Sequence, residues 1–387
     1  QMLKTRRLNR LKNVMCYAMT DNALTYRIAF SSLRSLTPSL AGTILDRVGS
    51  EENFFAFTES QLSAVMGFSN RLFTSSVRGE ALEKARDEVE FINANSISSI
   101  YFQSGQYPGR LLECDDAPLM LYGLGDCDLN HSRFISVVGT RHATAYGVDF
   151  VERFINELAT LLPEKPVIVS GLAYGIDICA HKAALKCGLP TVGVLAHGLN
   201  TLYPSQHRSV AVEMVRNQGM LLTDYRSSTP VHKGNFLARN RIVAGLSDAL
   251  VVVESASKGG ALVTARLASG YNRDVFALPG RISDRYSAGC NSLIASHMAA
   301  LVTSASDFCS QMRWPVAEAD DAMPSLFPEV TPEEEAVMAV LTARGEATLA
   351  DLSSRIDLPV ARLMSMLIDM EFRALIISIP GGRYRLR

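Results

Sequence analysis

From Phe134 onward the chain alternates between short apolar runs and segments whose apolar residues recur at helical spacing. The runs are Phe134 to Val138, Val167 to Val169, Thr191 to Leu195, Met220 to Thr223, Ala249 to Val253, Val275 to Leu278 and Ala299 to Val302. Short runs without polar alternation suit strands covered on both faces. Between the first two, Val151, Phe154, Ile155, Leu158 and Leu162 fall on one helical face. Strands joined by helices at this spacing need right-handed crossovers and a mostly parallel sheet. The pattern predicts an α/β fold with an extended Rossmann-like sheet over residues 105–310.

The flanks read differently. Residues 19–104 are helical in pattern, with Leu33, Leu36 and Leu40, then Ile44, Leu45 and Val48 at helical spacing, and with Gly49 and Gly67 as helix ends. They predict a small helical N-terminal domain of the SAM or helix-hairpin-helix kind. Ser60 to Gly67 followed by Arg71 to Val77 has the size of a helical hairpin, a unit that can touch DNA backbone but more often serves plain packing. Residues 1–18 carry Lys4, Arg6, Arg7, Arg10 and Lys12 before an apolar stretch too short for a signal peptide; they are expected to be a disordered leader, with Met19 a candidate start. Residues 311–330 set Pro315, Pro324 and Pro328 among Glu318, Asp320, Asp321 and Glu329, the composition of a solvated linker. Residues 331–387 open on Thr331-Pro332-Glu333-Glu334, an N-cap with proline and acids in the first turn. Helical segments near Leu349 to Arg355 and Val360 to Met370 follow. The end reads as a hairpin around Pro380-Gly381-Gly382, which together predicts a winged-helix domain.

No apolar run reaches the length that crosses a bilayer. The seven cysteines, Cys16, Cys114, Cys127, Cys179, Cys187, Cys290 and Cys309, are scattered, odd in number and free of C-x-x-C spacing. Free thiols in a reducing cytoplasm are expected, with no metal site and no disulfide framework. The formal net charge is −1, so any binding of nucleic acid must use a local patch.

Three segments could build such a patch. The first strand exits through Val138-Gly139-Thr140-Arg141, where open α/β sheets bind ligands; Arg141 is a candidate anion contact, with a buried structural role as the alternative. G-x-G-x-x-G is missing, so no nicotinamide or flavin cofactor is expected, and no Walker A pattern supports ATP hydrolysis. The second strand exits through Ser170-Gly171-Leu172-Ala173-Tyr174-Gly175-Ile176-Asp177, with His181 one helical turn on. An Asp177/His181 catalytic pair is conceivable, but no nucleophile accompanies it, and capping and packing are the simpler use. The third segment is the most informative. Tyr225 to Ser247 contains no acid, while Arg226, Lys233, Arg239 and Arg241 supply cations around Phe236. Cations for phosphates interleaved with an aromatic for a base face is the composition of a single-strand groove; a solvated basic loop is the alternative. A second acid-free stretch, Ser255 to Arg273, holds Lys258-Gly259-Gly260 at a strand exit, offering backbone N–H groups to a phosphate.

Taken in order, these residues resemble the DNA-processing protein A (DprA/Smf) family. The matching series is Tyr107-Pro108-x-x-Leu111, Asp116-x-Pro118, Leu121-Tyr122, Gly139-Thr140-Arg141, the Ser170 to His181 block, Gly198-Leu199-x-x-Leu202-Tyr203-Pro204, Arg239-Asn240-Arg241-Ile242-x-Ala244-Gly245-Leu246-Ser247, Pro279-Gly280 and Gly289-x-Asn291-x-Leu293-Ile294. It covers roughly residues 105–305. The resemblance implies a dimerising Rossmann-like core between a small helical domain and a winged helix. It also implies binding and protection of single-stranded DNA and loading of the RecA recombinase in natural transformation, by a binding protein rather than an enzyme. On the family pattern Arg141 matches a DNA-contacting arginine, Lys233 and Phe236 a lysine and its nearby aromatic, and Arg239 and Arg241 a basic block. The DNA-binding set is therefore Arg141, Gly171, Gly175, Lys233, Phe236, Arg239, Asn240, Arg241 and Gly260. Two departures stand out: Gly259-Gly260-Ala261-Leu262 replaces the family's Ser-Gly-Ser-Leu, removing two hydroxyls, and Phe236-Leu237-Ala238 replaces Phe-Pro-x.

Two other readings compete. One is a nucleotide-processing enzyme on the same fold, resembling the lysine-decarboxylase-like group, although that group's Pro-Gly-Gly-x-Gly-Thr signature is missing. The other is a duplex reader working through the winged helix, which is weak because Val360 to Met370 carries only Arg362 as a cation against Asp369.

Overall fold

The computed structural model describes residues 21–316, 331–373 and 375–387; the leader 1–18 and most of the linker, 317–330, lie outside the described residues. The chain divides near residue 317 into two compact units. In the first unit, nine strands among the described residues form one sheet in the order β1-β2-β6-β5-β4-β3-β7-β8-β9. These are β1 Ser98–Tyr101, β2 Met120–Gly125, β3 Phe134–Val138, β4 Val167–Ser170, β5 Thr191–Val194, β6 Met220–Thr223, β7 Ala249–Val252, β8 Asp274–Ala277 and β9 Ala300–Leu301. All seven apolar runs are strands, β3 to β9, and every pairing among them is parallel.

Burial on both faces explains why β3 to β7 lack polar alternation, whereas Ala300 and Leu301 of edge strand β9 are exposed. On β7, Ala249, Val251 and Val253 pack with Phe150, Phe154 and Phe308 on one side of the sheet, while Leu250 and Val252 pack into the opposite cluster. That opposite cluster also contains Ile28, Phe30, Ile44 and Phe54 from the N-terminal helices. The helical segment therefore covers one face of the sheet and shares its core, rather than forming a body of its own with a boundary at residue 104. Strand β1 lies inside that segment and pairs with β2, which runs antiparallel to β6. Sequence reasoning had no signal for these two strands. Gly123 and Gly125 interrupt β2, and a side chain on Gly123 would come within 2.9 Å of Met220 Sδ. The linker boundary also shifts: the helix Ala305–Met312 continues past residue 311, and Trp314 packs on Phe308 and beneath Arg133.

Helix ends are set locally. The helices Pro38–Val48 and Glu59–Met66 stop at Gly49 and Gly67, and Thr58 with Gln61 forms a capping box at the start of the second. Buried Arg78, on the helix Ser75–Asn95, donates to the carbonyls of Phe54, Phe55, Phe57 and Phe73. It thereby satisfies the orphan carbonyls at the end of the helix Glu51–Ala56. On the same long helix, buried Glu88 accepts both the Ser227 N–H, at 2.9 Å, and its hydroxyl, at 2.6 Å. This carboxylate anchors the loop 224–232 that leads into the helix Lys233–Leu246.

In the second unit, the helices Pro332–Arg344, Leu349–Ser353 and Val360–Phe372 surround a core of Val337, Leu341, Leu352, Leu363 and Leu367. Thr331 and Glu334 form the expected N-terminal cap as a reciprocal box. The terminal hairpin pairs β11 Ile376–Ile379 with β12 Arg383–Leu386, and β12 also takes up β10 Ala347–Thr348.

Glu88→Ala leaves two donors of one buried anchor, the Ser227 N–H and hydroxyl, without their carboxylate acceptor. It should cost about 1–3 kcal/mol and speed amide exchange selectively across residues 224–232. Wild-type exchange rates in that loop would show that the carboxylate does not restrain it.

Candidate nucleic-acid interface

The sheet reverses direction of growth at β3, which pairs with β4 on one side and β7 on the other. In open α/β sheets the crevice at the carboxyl ends of such strands is where ligands bind. Here a cleft of about 680 Å³ opens at that point, lined by the exits of β3, β4 and β7 and by the first turns of the helix Lys233–Leu246.

The floor is tied together by backbone and by one carboxylate. The Thr140 N–H donates to the Glu254 carbonyl at 2.7 Å, and the Thr140 carbonyl accepts from the Ile176 N–H at 3.1 Å. Gly175, at φ +78°, lies so close to the Thr140 carbonyl that no side chain fits there. The buried Glu254 side chain accepts from the Thr144 N–H at 2.9 Å and from the Thr144 hydroxyl at 2.5 Å. The N-terminus of the helix Ala145–Leu161, the place for a pyrophosphate in dinucleotide-binding folds, is thus filled by the protein's own anion.

The helix Gly260–Gly270 differs. It begins at the cleft with Gly259 as N-cap and no side-chain cap, and Gly259, Gly260 and Ala261 all line the opening. Its first N–H groups face a space fit for an anion.

The cations sort into two kinds. Arg141 and Lys233 are exposed, line the cleft, and form no ion pair among the described residues. The Arg141 guanidinium lies 5.2 Å from the centroid of the Phe236 ring. The Tyr203 ring meets Phe236 edge to face, with centroids 5.8 Å apart. Tyr203 is 43% exposed, which leaves a wet aromatic surface beside free cations.

Arg239 and Arg241 depart from expectation. Arg239 lines the floor but is buried. Its Nη1 donates to the Gly171 carbonyl at 2.8 Å and to the Val194 carbonyl, joining β4 to β5. Burial lowers its pKa and raises that of Asp177, and each charge opposes the other's shift. Gly171 sits between the two: its N–H donates to Asp177 Oδ2 at 3.2 Å, and a side chain there would come within 2.7 Å of that oxygen. Arg241 lies outside the cleft, paired with Asp224 and donating to the Asp116 carbonyl. Asn240 lines the cleft half-buried and accepts from Arg239 Nε at 3.3 Å. Gly175 acts behind the lining, on the Thr140 carbonyl.

Asp177 and His181 do not form a working pair. His181 is fully buried and its Nδ1 lies 2.7 Å from Thr191 Oγ1. The Thr191 hydroxyl donates to Ile168, so its oxygen accepts the Nδ1–H. Tyr203 lines the cleft but stands outside the sequence-derived DNA-binding set, although it belongs to the Gly198 to Pro204 block of the family resemblance. It is held by buried His197, whose Nε2 accepts the Tyr203 N–H at 3.3 Å while Nδ1–H donates to the Gly198 carbonyl. Glu254 gave no signal beyond standing at the edge of an acid-free stretch.

A mostly parallel sheet whose carboxyl-edge cleft presents free cations, exposed rings and an uncapped helix start defines an α/β protein of the extended Rossmann-like class with a cleft suited to an anion. The chain belongs to the DNA recombination-mediator protein A family, whose model matches residues 98–313, from β1 to the end of the first unit. It is 36% identical over 287 residues to Protein Smf of Escherichia coli strain K12, covering 73% of this chain and 75% of that one. The X-ray structure of DNA processing protein A from Streptococcus pneumoniae aligns with a TM-score of 0.61 at 31% identity, over 76% of this chain and 99% of that one. DNA processing protein A from Helicobacter pylori, whose structure was described for its single-stranded DNA binding mode, aligns with a TM-score of 0.50 at 30% identity, over 56% and 95%.

Two outcomes follow from the floor. Gly171→Ala forces a methyl between two fixed buried charges and should destabilise by about 1–3 kcal/mol, read as a lower urea midpoint; an unchanged midpoint would mean the pair yields easily. Burial, then His207 and Arg239, hold the His181 pKa down to about 3. An unfolded histidine titrates near ~6.5, so stability is full above that pH and falls as pH drops toward the folded value, by up to about 1.4 kcal/mol per pH unit. His181→Gln should flatten the fall in urea midpoint between about pH 6.5 and pH 5. An identical pH slope in wild type and variant would sink this assignment.

Proposed function

We propose that this chain is a cytoplasmic single-stranded-DNA-binding mediator that protects incoming strands and loads the RecA recombinase during transformation and recombination, acting as a homodimer and without catalysing a reaction. The observation that carries the reading is the Arg141 guanidinium over the Phe236 ring, with Tyr203 against it and Lys233 beside it, in one open cleft. Unpaired bases offer faces to such rings, whereas a duplex keeps its bases stacked on one another. The uncapped start of the helix Gly260–Gly270 adds backbone donors for a phosphate. Membership in a recombination-mediator family and the strand-binding homologue from Helicobacter pylori support the substrate class. The absence of catalysis is supported by the one carboxylate in the cleft lining, Asp177, being buried and engaged with Gly171 and Arg239, and by His181 lying in the core. Among the described residues no helix is long and apolar enough to cross a membrane.

For the C-terminal unit, proposed as a winged helix, protein contact is favoured over duplex reading. Val360, Met364, Ile368 and Phe372 recur every fourth residue and are exposed along one helix, while Arg362 is paired with Glu333.

Arg141→Ala and Lys233→Ala should each weaken oligothymidylate binding and reduce the magnitude of the log–log salt slope by about 0.7, the counterion release of one phosphate contact. Phe236→Ala should cost about 1–3 kcal/mol of binding with the slope intact. Anisotropy titrations across salt would defeat the reading if all three variants matched wild type. Turnover of a nucleoside monophosphate would favour the enzyme instead.

A further inference from the structure

We propose that the strand-binding site continues out of the cleft into a second cationic groove, between the N-terminal helices and the loop 224–232, where Arg34, Arg71, Lys84 and Arg226 take further phosphodiesters of the same single strand. The inference rests on the function proposed above and enlarges its footprint.

Two cavities, of about 650 and 580 Å³, share Ser32, Arg34, Ser35 and Arg226 in their walls. Arg71 and Lys84 complete the cation set of the first. Arg34, Arg71 and Lys84 are exposed and Arg226 is half-buried. Among the described residues, Arg34, Arg71 and Arg226 form no ion pair. The one carboxylate lining the first cavity is exposed Glu80, which pairs with Lys84. The carboxylates of the second are engaged elsewhere, Asp224 with Arg241 and Asp116 with the Tyr271 hydroxyl at 2.6 Å. With Lys84 answered by Glu80, Arg34, Arg71 and Arg226 remain as cations in excess of nearby acids, and a polyanion relieves their mutual repulsion while releasing its own counterions. Asn70 also lines the first cavity. Its Oδ1 accepts the Leu72 N–H at 2.9 Å, which leaves the amide NH₂ as a neutral donor.

Continuity comes from the loop itself. Arg226 belongs to the groove, while Val231 and Lys233, a few residues on, belong to the cleft. An extended chain from Arg226 to Lys233 spans at most about 25 Å, a gap that a few nucleotides bridge. Glu88 fixes Ser227 next to Arg226, so this stretch is held against the helices. Arg71 opens the short turn Arg71–Phe73, the part of the helical hairpin for which sequence alone offered both DNA contact and plain packing.

The test uses the full chain and two oligothymidylates, one of about 6 nucleotides that fills only the cleft and one of about 20. The double variant Arg34→Gln/Arg71→Gln alters exposed side chains and is checked by its melting temperature. It should bind the short strand as wild type does, lose about tenfold or more on the long strand, and show a long-strand salt slope smaller by about 1.4. Long-strand affinity and slope unchanged in the double variant, while Arg141→Ala weakens both lengths, would overturn the groove and leave the cleft standing. Equal loss on both lengths would also overturn it. Silence of Arg141→Ala, Lys233→Ala and Phe236→Ala on both lengths would strike the proposed function and this inference together.

Discussion

The Glu254 carboxylate is the constraint on which the site depends. It joins the exit of β7 to the start of the helix after β3, and its own carbonyl holds the Thr140 N–H. Neighbouring strand exits at the reversal of the sheet are thereby locked in one geometry. The same carboxylate occupies the helix terminus that would otherwise attract a phosphate. Ligand anions are left the uncapped start of the helix Gly260–Gly270 and the side chains of Arg141 and Lys233. The groups suited to an anion therefore lie along an open rim instead of under a glycine-rich turn.

The internal arginines show why a cation count misleads. Arg226, Lys233, Arg239 and Arg241 are alike in sequence, yet Arg239 bridges two strand carbonyls and Arg241 answers Asp224. A buried guanidinium must satisfy several N–H groups, and strand ends supply carbonyls in quantity. The Arg239–Asp177 pair shapes the floor of the cleft around Gly171 and stays unavailable to a ligand. Tertiary partners decide this, and no local pattern distinguishes a floor arginine from a rim one.

What could be read from sequence follows the same line. Strands β3 to β7 were legible because burial on both faces removes polar alternation, and Gly49 and Gly67 were legible because helix termination is local. The cleft trio Arg141, Lys233 and Phe236 was legible because cations and a ring stood in acid-free company at a strand exit. Strands β1 and β2 were not, since Gly123 serves a close approach to Met220 that exists only in the folded sheet. The shared core of helices and sheet was equally hidden, because an amphipathic helix does not announce which surface it covers. Tyr203 needed the fold too: His197 and Phe236 lie six and thirty-three positions away in sequence and meet it in space.

The division of labour within the cleft bears on selectivity. Phosphate contacts are long-range and indifferent to strandedness, and two free cations account for a salt slope of only about 1.4 in magnitude. Stacking on rings is short-range, nearly independent of salt, and open only to bases without a partner strand. A chain with a net charge of −1 gains little from a general attraction to polyanions. On the proposed function, a preference for single strands would come from Phe236 and Tyr203, with Arg141 packed over one ring and free to meet a phosphate beside it. Because that arginine serves the ring and the backbone at once, base stacking and phosphate neutralisation become coupled. A cleft working in this way would reward a ligand that presents an unpaired base and a phosphate together, which is the repeating unit of a single strand.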